Sequence, residues 1–151
     1  MTFRARNLAL FALCGFFLGI DQLFKWLATN SWHNSHLINR FVGWDPFYNP
    51  GVAFGIPIPS SLILILTLPV VGMLGYVLQK KVRAANAPQL ELLALSALFF
   101  GALSNAIDRL LYRHTVDYLR VAISIFNVAD VLIVFGFVIY FLQLHSKKQK
   151  G

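Results

Sequence analysis

The feature that most constrains this chain is a set of four apolar runs, each close to the roughly 20 residues that a helix needs to cross a bilayer. The runs cover residues 8–28, 61–78, 90–111 and 121–144. A segment inside a membrane must satisfy its backbone hydrogen bonds internally, so runs of this length predict transmembrane helices. We therefore expect a single membrane-embedded domain over residues 1–151, an all-α polytopic membrane protein with four transmembrane helices.

Basic residues gather beside the ends of these runs. Three clusters are found: Arg4 and Arg6 before the first run, Lys80, Lys81 and Arg83 between the second and third, and Lys147, Lys148 and Lys150 after the fourth. By the positive-inside rule, both termini and the central loop are cytoplasmic. A formal charge of +7 would suit a nucleic-acid-binding protein, but hydrophobic residues make up 58% of the chain, which excludes that class.

The first run is followed by polar residues. Arg4 and Arg6 ahead of an apolar stretch resemble a secretory signal peptide, but no small-x-small cleavage site follows, and we expect an uncleaved first helix. Asp21 and Lys25 are four residues apart, so they share a helix face and can pair there. In the alternative interpretation, the side chain of Lys25 extends to water at the membrane interface.

The connection over residues 29–60 is polar but rich in aromatic residues, which suit a membrane interface. The run at residues 41–44, followed by Asp45-Pro46, predicts a short strand and a turn, and Asn49-Pro50-Gly51 predicts a second turn. We expect a small β-structured extracytoplasmic cradle between helices 1 and 2.

Metal and disulfide sites have little support in the sequence. The single Cys14 excludes an intrachain disulfide and a cysteine-rich metal site. His33 and His36 have a spacing that could bind a metal, but two histidines without a third ligand are not a metal site. We therefore expect no metal.

The third run carries a polar stripe. Its members fall at helical spacing on one face of the predicted helix: Gly101, Asn105, Asp108, Arg109 and Tyr112. We expect Asp108 and Arg109 to form an ion pair, because a guanidinium group organises carboxylates without titrating.

The segment from residue 115 to 130 places Asp117 and Asp130 against apolar sequence. An aspartate at a helix centre costs about 2.5 to 3.5 kcal/mol even on lenient insertion scales, so it persists where it is paired, hydrated or used. One interpretation is a dyad, with one ionised and one protonated carboxyl group, that activates water for hydrolysis. The other is a helix-end cap plus an interhelical hydrogen bond. We expect Asp117 on a loop that folds back toward Asn127 and Asp130.

Four motifs occur in a fixed order along the chain. They are D-Q-L-F-K at 21–25, N-P-G-V-A-F-G at 49–55, G-A-L-S-N-A-I-D-R at 101–109, and V-D-Y with F-N-V-A-D between 116 and 130. In this order, on a four-span topology, they resemble the lipoprotein signal peptidase (signal peptidase II) family over essentially the whole chain. The resemblance implies a bacterial inner-membrane aspartic endopeptidase without a cofactor. Such an enzyme removes the signal peptide from prolipoproteins, cutting just before the diacylglyceryl-modified cysteine.

The same resemblance implies which residues act. The catalytic aspartates match Asp117 and Asp130. The supporting or substrate-binding residues match Asp21, Lys25, Asn49, Gly51, Asn105, Asp108, Arg109, Asn127 and Ala129. Members commonly have G-G where this chain has Phe100-Gly101, and V-D-F where it has Tyr118 after Asp117. The segment between the two aspartates is also shorter than in many members.

Two other classes compete with a peptidase. A small ion- or proton-coupled transporter subunit would relay ions through membrane aspartates, but it predicts acidic groups at many depths, whereas these gather at the outer ends of the runs. A scaffold held together by polar residues would not need two aspartates and an asparagine at one depth. We expect a monomeric peptidase with its active site toward the outer leaflet. Its expected partners are lipid-modified prolipoproteins and membrane lipids, and not nucleic acid.

Overall fold

The computed structural model describes residues 3–51, 58–84 and 87–148. Its helices are α1 (Phe3–Asn30), α2 (Ser60–Arg83), α3 (Gln89–Tyr112) and α4 (Val128–Lys148). Each contains a stretch long and apolar enough to cross a membrane. The prediction of a polytopic, mainly helical membrane protein is confirmed.

Helix α3 lies at the centre of the helices. Of the residues in its most apolar membrane-spanning stretch, 61% are buried inside the protein, whereas the corresponding share for α4 is 17%. Small residues allow α4 to approach closely: a Cβ on Gly101 would lie 2.6 Å from the carbonyl oxygen of Ala129, and one on Gly136 would lie 2.7 Å from that of Ala94. This close approach brings the polar stripe of α3 against the first turn of α4.

Large apolar side chains cover the outward faces of the other helices. Phe16 on α1, Ile65 on α2 and Phe137 on α4 are 63%, 64% and 63% exposed, respectively. A lipid environment solvates such faces, because lipid tails are as apolar as these side chains. The charged side chains at membrane depth are turned inward, as intramembrane ionisable residues normally are.

A small antiparallel sheet is attached to one end of the helices. Its strands, in spatial order, are β1 (His36–Asn39), β2 (Val42–Asn49), β3 (Thr115–Val121) and β4 (Ser124–Phe126). The predicted cradle between helices 1 and 2 is therefore present, but it is only half of the sheet. Residues 115–126 were expected to form a loop and the start of the fourth helix. A short apolar run fits a buried strand as well as a helix, so its periodicity could not separate the two.

The turn that was predicted at Asp45-Pro46 is absent from strand β2. The strand continues to Asn49, and its register against β3 is irregular between Trp44 and Phe47. Proline has no N–H to donate to a ladder, so it is tolerated inside a sheet at an irregularity of this kind. Because β2 continues, Phe47 pairs with Asp117 and Asn49 pairs with Thr115 on β3.

Aromatic packing fixes the sheet on α1. The ring of Tyr118 stacks on Trp44 at 5.0 Å between centroids and meets Phe24 of α1 edge-on at 5.6 Å. Successive residues of a strand point to opposite faces. With Tyr118 packed on α1, the preceding Asp117 faces the other side of β3.

Candidate active site

The sheet end of the molecule contains a cavity of about 720 Å³. Its walls come from β2, α3, β3, β4, α4 and the turn between β3 and β4: Phe47, Asn49, Asn105, Arg109, Thr115, Asp117, Ile123, Ser124, Ile125, Phe126, Asp130, Ile133 and Val134. Among the described residues that line it, the acidic ones are Asp117 and Asp130. The cavity thus joins two carboxylates to a mainly apolar wall.

Asp117 lies on strand β3, not on a loop as the sequence suggested. Its carboxyl group is buried, with the residue only 2% exposed. Its Oδ1 accepts a hydrogen bond from Asn127 Nδ2 at 2.7 Å, and its Oδ2 accepts one from Asn49 Nδ2 at 3.0 Å. Burial, followed by the nearby carboxylate of Asp130, raises the pKa of Asp117 to about 7, although the two amides oppose the shift.

Asp130 lies in the first turn of α4. The Oδ1 of Asn127, the residue before the helix, accepts the Asp130 N–H at 2.9 Å, and Asp130 Oδ2 accepts the Asn127 N–H at 3.3 Å. This reciprocal arrangement is a capping box. The Nδ2 of Asn105 on α3 also donates to Asp130 Oδ1 at 2.8 Å. Asp130 therefore makes the helix-end cap and the interhelical hydrogen bond that were the alternative to a catalytic dyad. Its side chain also lines the cavity, so the two interpretations do not exclude each other.

Asn127 joins the two carboxyl groups. Its fully buried side chain donates from Nδ2 to Asp117, and its Oδ1 accepts from the backbone of Asp130. The same Nδ2 lies 3.2 Å from Asn105 Oδ1. A single amide side chain thus sets the relative position of β3 and the start of α4.

A buried charge cluster supports this arrangement from behind. The ammonium group of Lys25 lies 2.8 Å from Asp21 and 2.9 Å from Asp108, and it donates to Asn105 Oδ1 at 2.9 Å. The predicted pairing of Asp21 with Lys25 is confirmed. The alternative, in which Lys25 reaches water, is wrong, because the residue is 2% exposed and two carboxylates hold it inside.

The predicted ion pair between Asp108 and Arg109 is also wrong. Consecutive helix residues point about 100° apart. Asp108 accordingly faces Lys25 and accepts the backbone N–H of Val116 at 3.0 Å. Arg109 turns the other way and donates from Nη2 to the carbonyl oxygen of Gly51 at 2.7 Å.

Gly51 and Ala129 take part through their backbones. The N–H of Gly51 donates to Asn49 Oδ1 at 3.0 Å, and the N–H of Ala129 donates to Asp21 Oδ1 at 3.2 Å. Residues 52–57, which hold the rest of the N-P-G-V-A-F-G motif, lie outside the described residues.

Three polar residues of the site were not predicted from the sequence. Ser104 Oγ donates to Asp21 at 2.6 Å, and Gln22 Nε2 donates to Ser104 Oγ at 2.8 Å. Gln22 lies inside the first motif, and Ser104 lies beside Asn105 in the third, so motif membership was the available signal. Tyr118 appeared in the sequence only as a departure from the family pattern.

The hydroxyl of Tyr118 lies between α1 and α4. It donates to Asp21 Oδ1 at 2.8 Å and accepts the N–H of Val128 at 3.2 Å. Burial, followed by the charge of Asp21, raises the pKa of Tyr118, so the hydroxyl stays protonated and remains a donor.

The chain is similar to known proteins in both sequence and fold. A family model described as signal peptidase (SPase) II matches residues 13–146. The lipoprotein signal peptidase of Moorella thermoacetica is 35% identical over 131 residues, which cover 84% of this chain and 86% of that protein. The lipoprotein signal peptidase of Listeria monocytogenes serotype 4a is 28% identical over 145 residues, covering 89% of this chain and 92% of that protein. A solved bacterial membrane enzyme superimposes with a TM-score of 0.81 at 26% identity, covering 94% of this chain and 90% of that one.

Proposed function

This chain belongs to the signal peptidase II family, and we propose that Asp117 and Asp130 are the carboxyl groups with which it hydrolyses its substrate. The family and fold make the chain a membrane protease of the aspartic type that removes signal peptides from prolipoproteins. They give no support to the transporter alternative. One observation carries the residue assignment: both carboxyl groups line one cavity, and both are bound by Asn127, through its side chain at Asp117 and through its backbone N–H at Asp130.

Peptide hydrolysis by this pair requires one ionised and one protonated carboxyl group. The ionised group takes a proton from water while the water oxygen bonds to the peptide carbonyl carbon, and the protonated group gives its proton to the carbonyl oxygen. A neutral gem-diol results. The first group then gives its proton to the leaving nitrogen as the C–N bond breaks, and the second recovers a proton from a diol hydroxyl. The pair ends with one proton, as it began.

The environment suits this chemistry at neutral pH. An isolated aspartate has a pKa near 3.9, so two ordinary aspartates would both be ionised. Burial and the neighbouring carboxylate raise the pKa of Asp117 to about 7. The pair therefore keeps one proton over the range in which the enzyme must work.

The apolar part of the cavity fits a lipid-modified peptide. Phe126, Ile133 and Val134 line the wall on the α4 side, and Phe47 lines the β2 side. We propose that acyl chains contact this wall and that the peptide lies extended past Asn49, with the scissile bond just before the lipidated cysteine. Arg109 would keep this part of the wall in place through Gly51.

The active site is proposed to face the outer leaflet of the bacterial inner membrane. The basic residues Lys80, Lys81 and Arg83 are in the last turn of α2. The cavity lies at the opposite end of α3, beside Arg109 and the strand that follows. Under the positive-inside rule, this arrangement makes the basic end and both termini cytoplasmic. We propose that the active unit is a monomer, since Asp117, Asn127 and Asp130 meet within one chain.

The test uses purified protein and a diacylglyceryl-modified prolipoprotein, with cleavage scored by the mass of the product. Asp117→Asn and Asp130→Asn should each abolish cleavage while leaving a folded membrane protein. The control is Glu91→Gln at the other end of α3, where the carboxylate pairs with Lys81 at 2.6 Å, and it should cleave normally. Normal cleavage by either aspartate variant would contradict the assignment.

A further inference from the structure

We propose that Asn105 and Lys25 keep the negative charge of the catalytic pair on Asp130, so that Asp117 carries the shared proton. Asp130 is then the base toward water, and Asp117 is the acid toward the peptide carbonyl. This inference rests on the proposed function of the two aspartates. In it, Asn105 and Lys25 are positioning residues.

The first step of the argument is the orientation of the Asn105 amide. Its Oδ1 lies 2.9 Å from the ammonium nitrogen of Lys25. An ammonium group has donors and no acceptor, so the oxygen end of the amide must face Lys25. The Nδ2 end is left to face Asp130 Oδ1, at 2.8 Å. A donor that cannot be reversed favours the charged form of the carboxyl group.

The second step is the position of Asp130 on its helix. It occupies the first turn of α4, where the helix dipole favours a negative charge. Its Oδ2 also accepts the backbone N–H of Asn127, which is again a group that can only donate. The start of α4 and the amide of Asn105 thus act in the same direction on the two oxygens.

Hydrogen bonds alone do not separate the two aspartates, because Asp117 also accepts from two amides, those of Asn49 and Asn127. The difference is in the charges and dipoles. Strand β3 provides no dipole comparable to that of a helix terminus. The Asn105 amide, in contrast, is polarised by a cation on its far side, and hydrogen-bonded groups in series strengthen one another.

The charged groups that face the pair from the neighbouring helices do not reverse this order. From α1 come Lys25 and Asp21, which largely neutralise each other at 2.8 Å. From α3 come Asp108, which shares Lys25, and Arg109, which lines the cavity with both aspartates. Two cations and two carboxylates leave no net charge around the pair, so the orientation of the Asn105 amide and the start of α4 decide which carboxyl group is ionised.

The titration of Asp117 is consistent with the same order. Burial is the largest cause that raises its pKa to about 7, and the charge of Asp130 is the next. This shift supposes an ionised Asp130 beside a protonated Asp117, which is the order that the Asn105 amide favours. In the reaction, Asp130 takes the proton from water and later gives it to the leaving nitrogen. Asp117 gives its proton to the carbonyl oxygen and recovers one from the diol.

The test measures kcat/KM against pH for two variants that each remove one amide. Asn105→Ala removes a donor to Asp130, so the acid limb of the profile should move to higher pH by about one to two pH units while the alkaline limb stays. Asn49→Ala removes a donor to Asp117, so the alkaline limb should move upward while the acid limb stays. Three results would overturn the proposal. In the first, Asn105→Ala moves the alkaline limb and Asn49→Ala moves the acid limb. In the second, both limbs move equally in both variants, and in the third, neither limb moves.

Infrared spectroscopy locates the proton without relying on activity. A group with a pKa near 7 is still protonated at about pH 6. At that pH, the spectrum of the wild type minus that of Asp117→Asn should contain the carbonyl stretch of a protonated carboxyl group. Retention of that absorption in Asp117→Asn, together with its loss in Asp130→Asn, would overturn the proposal. The spectrum reports only which aspartate holds the proton. The proposed function is tested separately, because it would be contradicted by normal cleavage in the two aspartate variants.

Discussion

The hydroxyl of Tyr118 on β3 donates a 2.8 Å hydrogen bond to the carboxylate of Asp21 on α1. The same oxygen accepts the N–H of Val128 at the start of α4. One side chain therefore joins the sheet to two membrane helices. The start of α4 carries Asp130, so this junction holds one catalytic candidate in place.

Removal of that hydroxyl should cost stability. In Tyr118→Phe, the ring still packs on Trp44, but the buried carboxylate of Asp21 loses a donor and the partly buried N–H of Val128 loses its acceptor, which together cost about 1 to 3 kcal/mol. Thermal unfolding in detergent measures the loss. The matched control is Tyr76→Phe, because Tyr76 is 59% exposed on α2 and should tolerate the change. Equal melting temperatures for Tyr118→Phe and the wild type would contradict the role of the hydroxyl.

Cleavage should weaken as pH rises through neutrality. The pair must hold one proton, and the pKa of Asp117 is about 7 because of burial and the charge of Asp130. The protonated form is present below this pH and lost above it, so kcat/KM should fall about tenfold for each pH unit above 7. The pH profile of lipopeptide cleavage measures this limb. A rate that stays constant up to about pH 9 would be incompatible with a titrating Asp117.

Lys25→Met should unfold the protein or prevent its insertion. The substitution leaves the carboxylates of Asp21 and Asp108 buried without their cation, a change that costs about 3 to 5 kcal/mol. The yield and melting temperature of purified protein give the measurement, and adding Asp108→Asn should recover part of the loss. Lys80→Met is the control, since Lys80 lies over the ring of Tyr76 on the surface of α2. A stable Lys25→Met protein would mean that the cluster is not needed for folding.

Gly101→Ala adds only one methyl group, but it should strongly lower the rate of cleavage. The added Cβ would lie 2.6 Å from the carbonyl oxygen of Ala129, so α3 and α4 must move apart. Such overpacking typically costs about 1 to 3 kcal/mol, and a 1 Å displacement of a catalytic group can cost about 10²-fold in rate. Cleavage assays at saturating substrate test this. Gly72→Ala on α2 is the matched control, because an added Cβ there meets nothing within 4 Å, and it should cleave normally.

Sequence reasoning predicted the helices because apolar length is a local property. It also predicted the pairing of Asp21 with Lys25, which depends only on helix periodicity. It assigned Asp108 to the wrong partner, because the cation that this carboxylate contacts lies on another helix, far away in sequence. Side chains that meet only after helices pack leave no local signal.

The sheet illustrates the same limit. Strand β3 continues into an apolar stretch that could equally begin a helix, and only its pairing with β2 decides the outcome. Tyr118 and Ser104 gain their roles from contacts with Asp21 on α1, so their importance could be suspected only from their place in the motifs.

The pairing of β2 with β3 has a consequence for biogenesis. One strand emerges from the ribosome before the second helix, and the other after the third, while the last carboxylate arrives with the fourth. The N–H of Ala129 binds a residue 108 positions earlier in the chain. A nascent chain therefore lacks a complete cavity, and with it the second aspartate of the proposed pair, until its final helix has been synthesised.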